Sequence, residues 1–476
     1  MQGEFVVSFN GKEHEILRDG VVVFENDKIL FVGKDYREAV DRKMEATHCL
    51  ISPGFINSHH HLGSNAGEYL LNEPDKPDFF ASNYLSHLAP LKGKSVPHHL
   101  DTLEVGGLFS LIHILKCGAT SVVDVGGPER DPERYVNLVG EVGIRCFGGP
   151  RHRNADLCYD KEGRLEYSWS DERGRERLKK AIAFVKKFNG ANNGRLSAML
   201  FPAQVDTCTL ELLQETKKVA GELGVLVQIH AAINLIEFHT VMQRYRCTPV
   251  ELLHRAGLLG PEVSLSHCIF LTGHSWTVYP YGDDLKLIAD SGSSVSHCPY
   301  KYLKVGVGME SFDSYLKAGI NISLGTDTFP KDIISEMRYA AVASRLLERS
   351  FLAGQPRDVF NAATLGGAKL LGREDLGRLE KGAKADIVVI SLRDTAFGAV
   401  HDPIKSIVET ATGRDVRTVI VDGEVLVEDG RYLRVDEEDL MEKLRKSSAE
   451  ILKEVPSWHW AGKTVDEIQP PAFKLS

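Results

Sequence analysis

The sequence predicts an α/β protein, a (β/α)8 barrel of the TIM type joined to a small β-sandwich domain drawn from both chain ends. Three observations predict it. Between residues 51 and 375, eight short apolar, β-branched runs alternate with longer helical stretches, which is the pattern of parallel βα units. Several of those runs end in a polar or ionisable residue, and strand-and-turn texture recurs on both sides of the region. The runs are 51–61, 120–127, 144–150, 196–203, 225–231, 263–269, 293–299 and 322–327. In a barrel the strand ends converge on one rim, where active sites form. His59, His61, Asp124, His230, His267, His297 and Asp327 all stand at run ends and are expected there together.

Residues 1–50 read as short strands with tight turns, including a hairpin connection at Glu25-Asn26-Asp27. Residues 376–434 repeat the texture, with a turn signal at Asp422-Gly423. These two segments are assigned to the small domain and 51–375 to the barrel. The tail, 435–476, begins with an amphipathic helix over 435–454 and is read as a packing or oligomer element.

Composition narrows the function classes. A hydrophobic content of 43% suits a well-filled core. No apolar stretch reaches the roughly 20 residues of a spanning helix, and no leader pattern is evident, so the expectation is a cytoplasmic protein without membrane contact. The eight cysteines are scattered, which argues against a disulfide framework or a thiolate zinc site. A formal net charge of −9 without a basic block gives no footprint for nucleic acid. A small-molecule substrate and a homo-oligomer are expected.

His59 and His61 flank one residue on a strand, so their side chains share a face and can grip one ion. Imidazole and carboxylate suit zinc or iron, and a ligand set that leaves one position open for water marks a catalytic site. His60, between them, points to the other face and is read as structural.

The stretches ISPGFINSHHHLG, VLVQIHAAINLIE, VSLSHCIFLT, SSVSHCPYKYLKVGVG, ISLGTDT, NAATLGGAKLLG and GRLEKGAKADIVVI, in this order, resemble the amidohydrolase superfamily, in its branch of cyclic-amidine deaminases and triazine chlorohydrolases. The resemblance runs through nearly the whole chain. It implies that His59, His61, His230 and Asp327 hold one divalent metal ion per subunit, zinc first, with iron, cobalt and manganese as alternatives. It also implies that Asp327 handles protons and that His267 polarises the substrate. Such an ion lowers the pKa of its water to roughly 7, and the hydroxide attacks an sp² carbon while His267 faces the atom on which charge accumulates. A binuclear variant would need a lysine at the end of the fourth strand, where LSAMLFPAQVD has none.

Three departures shape the reading. Deaminases of this branch carry a glutamate three residues after the barrel histidine, and here that position is Ile233, with Glu237 a distant substitute. Lys301-Tyr302 stands where the branch usually has Ser-Asn. The segment 150–160 crowds Arg151, His152 and Arg153 on the rim; with His297, Arg151 and His152 are taken as substrate-binding. Without the glutamate, a real carbonyl is the easier substrate. The expected reaction is therefore hydrolysis of the C–N bond of a small neutral urea, carbamate or amide, or of a thiocarbamate C–S bond, and the chain resembles the phenylurea hydrolases and molinate hydrolase. The alternative is hydrolytic deamination or dechlorination of a nitrogen heterocycle of purine, pterin or triazine type. A non-catalytic binding protein would carry no metal. Phe79, Phe80, Tyr84 and Leu85 offer an apolar wall for an aryl group.

Overall fold

A computed structural model describes residues 1–62, 90–95, 102–127, 131–468 and 470–474. The aryl wall expected at Phe79, Phe80, Tyr84 and Leu85 lies outside these residues.

All eight expected runs form strands. Phe55–His60, Ala119–Val125, Arg145–Gly149 and Leu196–Ala198 make one four-stranded parallel sheet in chain order. Val227–Ala231, Val263–His267, Ser294–His297 and Ile322–Leu324 make another. Isolated parallel bridges pair His60 with Asp327 and Leu200 with Val227, between the two sheets. The strands Ala119–Val125, Val227–Ala231 and Val263–His267 are buried along their whole length, which is why they read as apolar runs without alternation. Helices follow them, and local chemistry sets where each begins. Asp131, Ser170, Thr209, Asn234, Thr248, Asp283, Ser311 and Asp332 each cap a helix N-terminus with a side-chain oxygen. Gly143, Gly224 and Gly292 close three of them in the left-handed conformation.

The first run divides in two. Ile51–Pro53 belong to the strand Glu45–Pro53, which pairs with Ile387–Ser391 from the far end of the chain. Only from Phe55 does the chain enter the parallel sheet. Strands from both chain ends hydrogen-bond in a single eight-stranded order, where the sequence led to the expectation of a two-sheet sandwich. Both expected turns are present: Glu25 pairs with Lys28 across Asn26-Asp27, and Val421 with Glu424 across Asp422-Gly423. Asp422 and Gly423 have φ of 50° and 77°, and a Cβ on Gly423 would sit 1.6 Å from the carbonyl oxygen of Asn26, so the two turns pack where only glycine fits.

Arg145, 1% exposed, ties the parallel sheet to the eight-stranded one through Asp386 at 3.3 Å and Asp422 at 2.5 Å. The tail helix runs Glu437–Trp458, capped by Asp436, and the residues beyond it pack back on the chain: His459 bridges Pro90, and Trp460 stacks on Tyr159. Each of the eight cysteines is free and buried. No helix among the described residues is long and apolar enough to cross a membrane.

Candidate metal centre

The strand ends bring His59, His61, His230, His267 and Asp327 into one cluster. Ligand atoms of His59, His230 and His267 lie within 4.8 Å of one another, as do those of His59, His61 and Asp327. Backbone strain concentrates here: Asp327, His267, Cys268 and Ala232 have φ of 57°, 79°, 47° and 50°. The approach is close enough that a Cβ on Gly325 would lie 2.7 Å from His59 Cβ.

Hydrogen bonds fix which nitrogen of each ring faces the centre. The Ser58 carbonyl accepts from Gln228 Nε2 at 3.0 Å, so the amide oxygen of Gln228 faces His59 Nδ1 at 2.9 Å. Nδ1 must therefore carry the proton, leaving a lone pair on His59 Nε2. His61 Nδ1 donates to the Val125 carbonyl at 2.9 Å and His230 Nδ1 to the Ala203 carbonyl at 2.5 Å, which leaves lone pairs on both Nε2 atoms. Those two nitrogens face each other at 3.1 Å, where neither has a proton to share. Asp327 Oδ1 lies 3.3 Å from His61 Nε2 and 3.7 Å from His59 Nε2. Three imidazole lone pairs and a carboxylate oxygen thus converge on one point, an arrangement that repels itself until a cation enters, so the residues fit a divalent metal.

Electrostatics agree with that assignment. Burial pushes His59 down and His61, His230 and His267 well down from the ordinary imidazole value, keeping them neutral as ligands must be. Burial alone would push Asp327 up; the Lys301 ammonium beside it instead holds its carboxyl well below the usual range. His267 Nε2 is 3.9 Å from Asp327 Oδ2, and neither of its ring nitrogens has a hydrogen-bond partner among the described residues.

Other expected residues part company. Arg151 lies beside His61 and Asp124, lowering the pKa of each, and covers Gly126. His152, on the opposite face, is wholly buried, its Nε2 bound to Thr216 Oγ1 at 2.8 Å on the helix Leu210–Leu223. That contact anchors a helix, which corrects its assignment to substrate. Arg153 is engaged by Asp156 at 2.8 Å. His297 is buried against Phe312, and burial takes it down to about 3. His60 is buried with Nε2 at 2.9 Å from Ser110 Oγ. Asp124 accepts from the Leu62 amide at 2.8 Å and so fixes the backbone just after His61. Glu237 occupies the first turn of the helix Leu235–Tyr245, and its Oε2 accepts from the Ile233 amide at 2.6 Å.

Two residues of the centre escaped the sequence reading. Gln228 stands two positions before His230 on the same strand, and that spacing was itself the signal that it shares the inward face. Lys301 was seen as a departure from a motif, not as a side chain inside the cluster, yet it is 1% exposed and paired with Asp327.

Residues 50–426 match the family model described as the amidohydrolase family. The chain is 28% identical to the 5'-deoxyadenosine deaminase of Methanosarcina barkeri over 96% of its length and 98% of that protein's. It is likewise 28% identical to the 5-methylthioadenosine/S-adenosylhomocysteine deaminase of Pyrococcus abyssi, over 92% and 96%. Among solved structures, an adenosine deaminase from Xanthomonas campestris with bound zinc superposes with a TM-score of 0.78 at 21% identity, covering 94% of this chain and 97% of the other. An atrazine chlorohydrolase from Arthrobacter aurescens, also complexed with zinc, superposes with a TM-score of 0.79 at 24% identity, covering 94% and 98%.

Proposed function

Because this chain belongs to the amidohydrolase family, we propose that it is a metal-dependent hydrolase that displaces an amino group, or a similar leaving group, from an sp² carbon of a nitrogen heterocycle. The observation that carries the reading is the convergence of the lone pairs of His59, His61 and His230 with Asp327 on one point. The near full-length similarity to deaminases of adenine nucleosides supports the heterocycle. In this reading the eight parallel strands close into a barrel, a closure supported by the bridges His60–Asp327 and Leu200–Val227. The barrel unit spans 51–375 and the small unit 1–50 with 376–434, with Ile51–Pro53 pairing into the latter.

His59, His61, His230 and Asp327 hold the ion. Bound there, it supplies Lewis acidity and makes water ionisable near neutral pH. Asp327, kept ionised by its surroundings, takes the proton released and returns it to the leaving group. His267, at the edge of the cluster, faces the substrate atom on which negative charge accumulates and polarises it. Arg151, beside His61, and His297 line the substrate side.

A second reading is favoured by one observation. With Ile233 buried and Glu237 committed to its backbone amide, the position that gives the family's deaminases their acid holds no carboxyl group. A urea, carbamate, amide or thiocarbamate carbonyl needs no ring protonation, and hydrolysis of such a group stays open to this site. Purified protein should be assayed for ammonia release from 5'-deoxyadenosine and 5-methylthioadenosine, in parallel with aryl ureas and carbamates. Ammonia release supports the first reading; turnover confined to the carbonyl compounds overturns it in favour of the second.

A further inference from the structure

A fully buried lysine inside a nest of metal-type ligands runs against electrostatics unless it has a task. Lys301 sits on the short helix Pro299–Leu303, which begins two residues after the strand Ser294–His297. Its neighbours pin that helix: the Tyr300 amide donates to the buried Glu336 at 3.1 Å, and the Tyr302 ring meets His267 edge-on at 5.2 Å. Held so, the Lys301 ammonium pairs with Asp327 Oδ2, while Asp327 Oδ1 faces His59 and His61. The carboxylate is claimed from two sides, by the imidazole-lined point through one oxygen and by the ammonium through the other.

We propose that Lys301 is an internal counter-ion of the metal centre: it neutralises Asp327 in the metal-free protein, and its fixed positive charge weakens the hold of the centre on a divalent cation. The inference rests on reading the cluster as a metal site. With the imidazoles neutral, Asp327 gives the ligand set one negative charge and Lys301 cancels it. An entering cation therefore meets a like charge on the far side of a single buried carboxylate. Interiors screen such repulsion weakly, so even a modest residue of it is worth more than a factor of about ten in Kd. The same charge disfavours a second cation at Asp327, in keeping with a single-ion site.

The test strips the wild-type protein and the variants Lys301→Met, Lys301→Gln and Lys301→Arg with a chelator, confirms folding by circular dichroism, and titrates zinc against a chromogenic chelator at one neutral pH. Both neutral variants should bind zinc at least about tenfold tighter than wild type, and the arginine variant within about threefold of it. Zinc at one concentration should also raise the melting temperature more in the neutral variants, since stabilisation by a ligand grows as its Kd falls. The glutamine variant carries the comparison if the methionine variant does not fold. Folded neutral variants that bind zinc no tighter than wild type overturn the proposal. Failure of the underlying metal reading has another signature, a wild-type protein that takes up no stoichiometric zinc, and the inference then falls with it.

Discussion

Replacing Gln228 by leucine strips the support from one proposed metal ligand, His59, without touching any proposed ligand atom. Gln228 makes three buried contacts: its oxygen accepts from His59 Nδ1 at 2.9 Å, and its Nε2 donates to the Ser58 carbonyl at 3.0 Å and to Ser264 Oγ at 2.6 Å. Leucine has nearly the same volume and makes none of them. Each buried group left without its partner costs about 1–3 kcal/mol, so the loss of stability should be roughly 2–4 kcal/mol in urea unfolding. His59 Nδ1 keeps a neighbour in Ser266 Oγ at 2.9 Å, so the ring is loosened, not released. Removing an outer partner of a ligating histidine lowers metal affinity by about 10–100-fold, and the retained serine places this case near tenfold. The double variant with Ser266→Ala should lose more zinc affinity than the sum of the two single losses, by about 1 kcal/mol or more, because each partner covers for the other. Zinc competition at fixed pH reads all four corners of the cycle. Simple additivity, or a leucine variant that binds zinc like wild type, refutes the tautomer argument for His59.

Four further outcomes follow from the same structure. Chelation should abolish activity and lower the melting temperature; about one equivalent of zinc should restore both, with a stabilisation of about 4 kcal/mol when free zinc stands a thousandfold above Kd. His152, which burial takes down to about 3, stays neutral in the fold while the unfolded chain takes up a proton below about 6.5. Its stabilising effect is thus lost on acidification, by about 2 kcal/mol between pH 7 and pH 5, and His152→Gln should lose that much less than wild type in urea unfolding over this interval. Asp124 and Asp206, raised to about 6 by burial, work in the opposite sense, which is why the comparison must be made within one pair of proteins. Arg145→Met leaves the buried Asp386 without its cation, while Asp422 keeps Arg195 and Lys384 at 3.1 Å, and should cost about 3 kcal/mol by urea unfolding. Ile233→Glu restores a carboxyl group beside the centre and should raise ammonia release from an adenine nucleoside by at least about tenfold; no gain in a folded variant argues for the carbonyl substrates.

The parallel strands were legible because burial on both faces leaves continuous β-branched runs bounded by turns, and the turns at Asn26-Asp27 and Asp422-Gly423 because their φ values select particular residues. The division at Pro53-Gly54 was not. Ile51, Ser52 and Pro53 are as buried as Phe55 and Ile56, so the pattern of apolar residues is the same on both sides of the point where the chain passes from one sheet to the other. Only the pairing partner differs, Ile387–Val389 before it and Ala119–Ser121 after it, and partners so distant in the chain leave no local signal.

The proposed ligands were legible for a chemical reason that did not extend to their supports. Histidines and an aspartate at strand ends announce themselves, because few other roles put ionisable groups at the end of an apolar run. His152 was chosen for its place in a charged rim segment and anchors a helix instead, since a residue's side of the strand is set by register, and the short strand Arg151–His152 points its two side chains opposite ways. Gln228 and Lys301 failed the criterion from the other direction. A glutamine inside a buried strand and a lysine on a five-residue helix carry no metal signature of their own, and each matters only through the atom it faces, His59 Nδ1 in one case and Asp327 Oδ2 in the other. Ligand identity is thus written in residue types, whereas the tautomer and charge of the centre are written in contacts. The departures at Ile233 and Lys301 belong to the second kind: one removes an acid and the other adds a cation within reach of the same carboxylate, so they shift the charge of the site in the same direction. A substrate that accumulates negative charge early gains from both changes, and one that must first be protonated gains from neither.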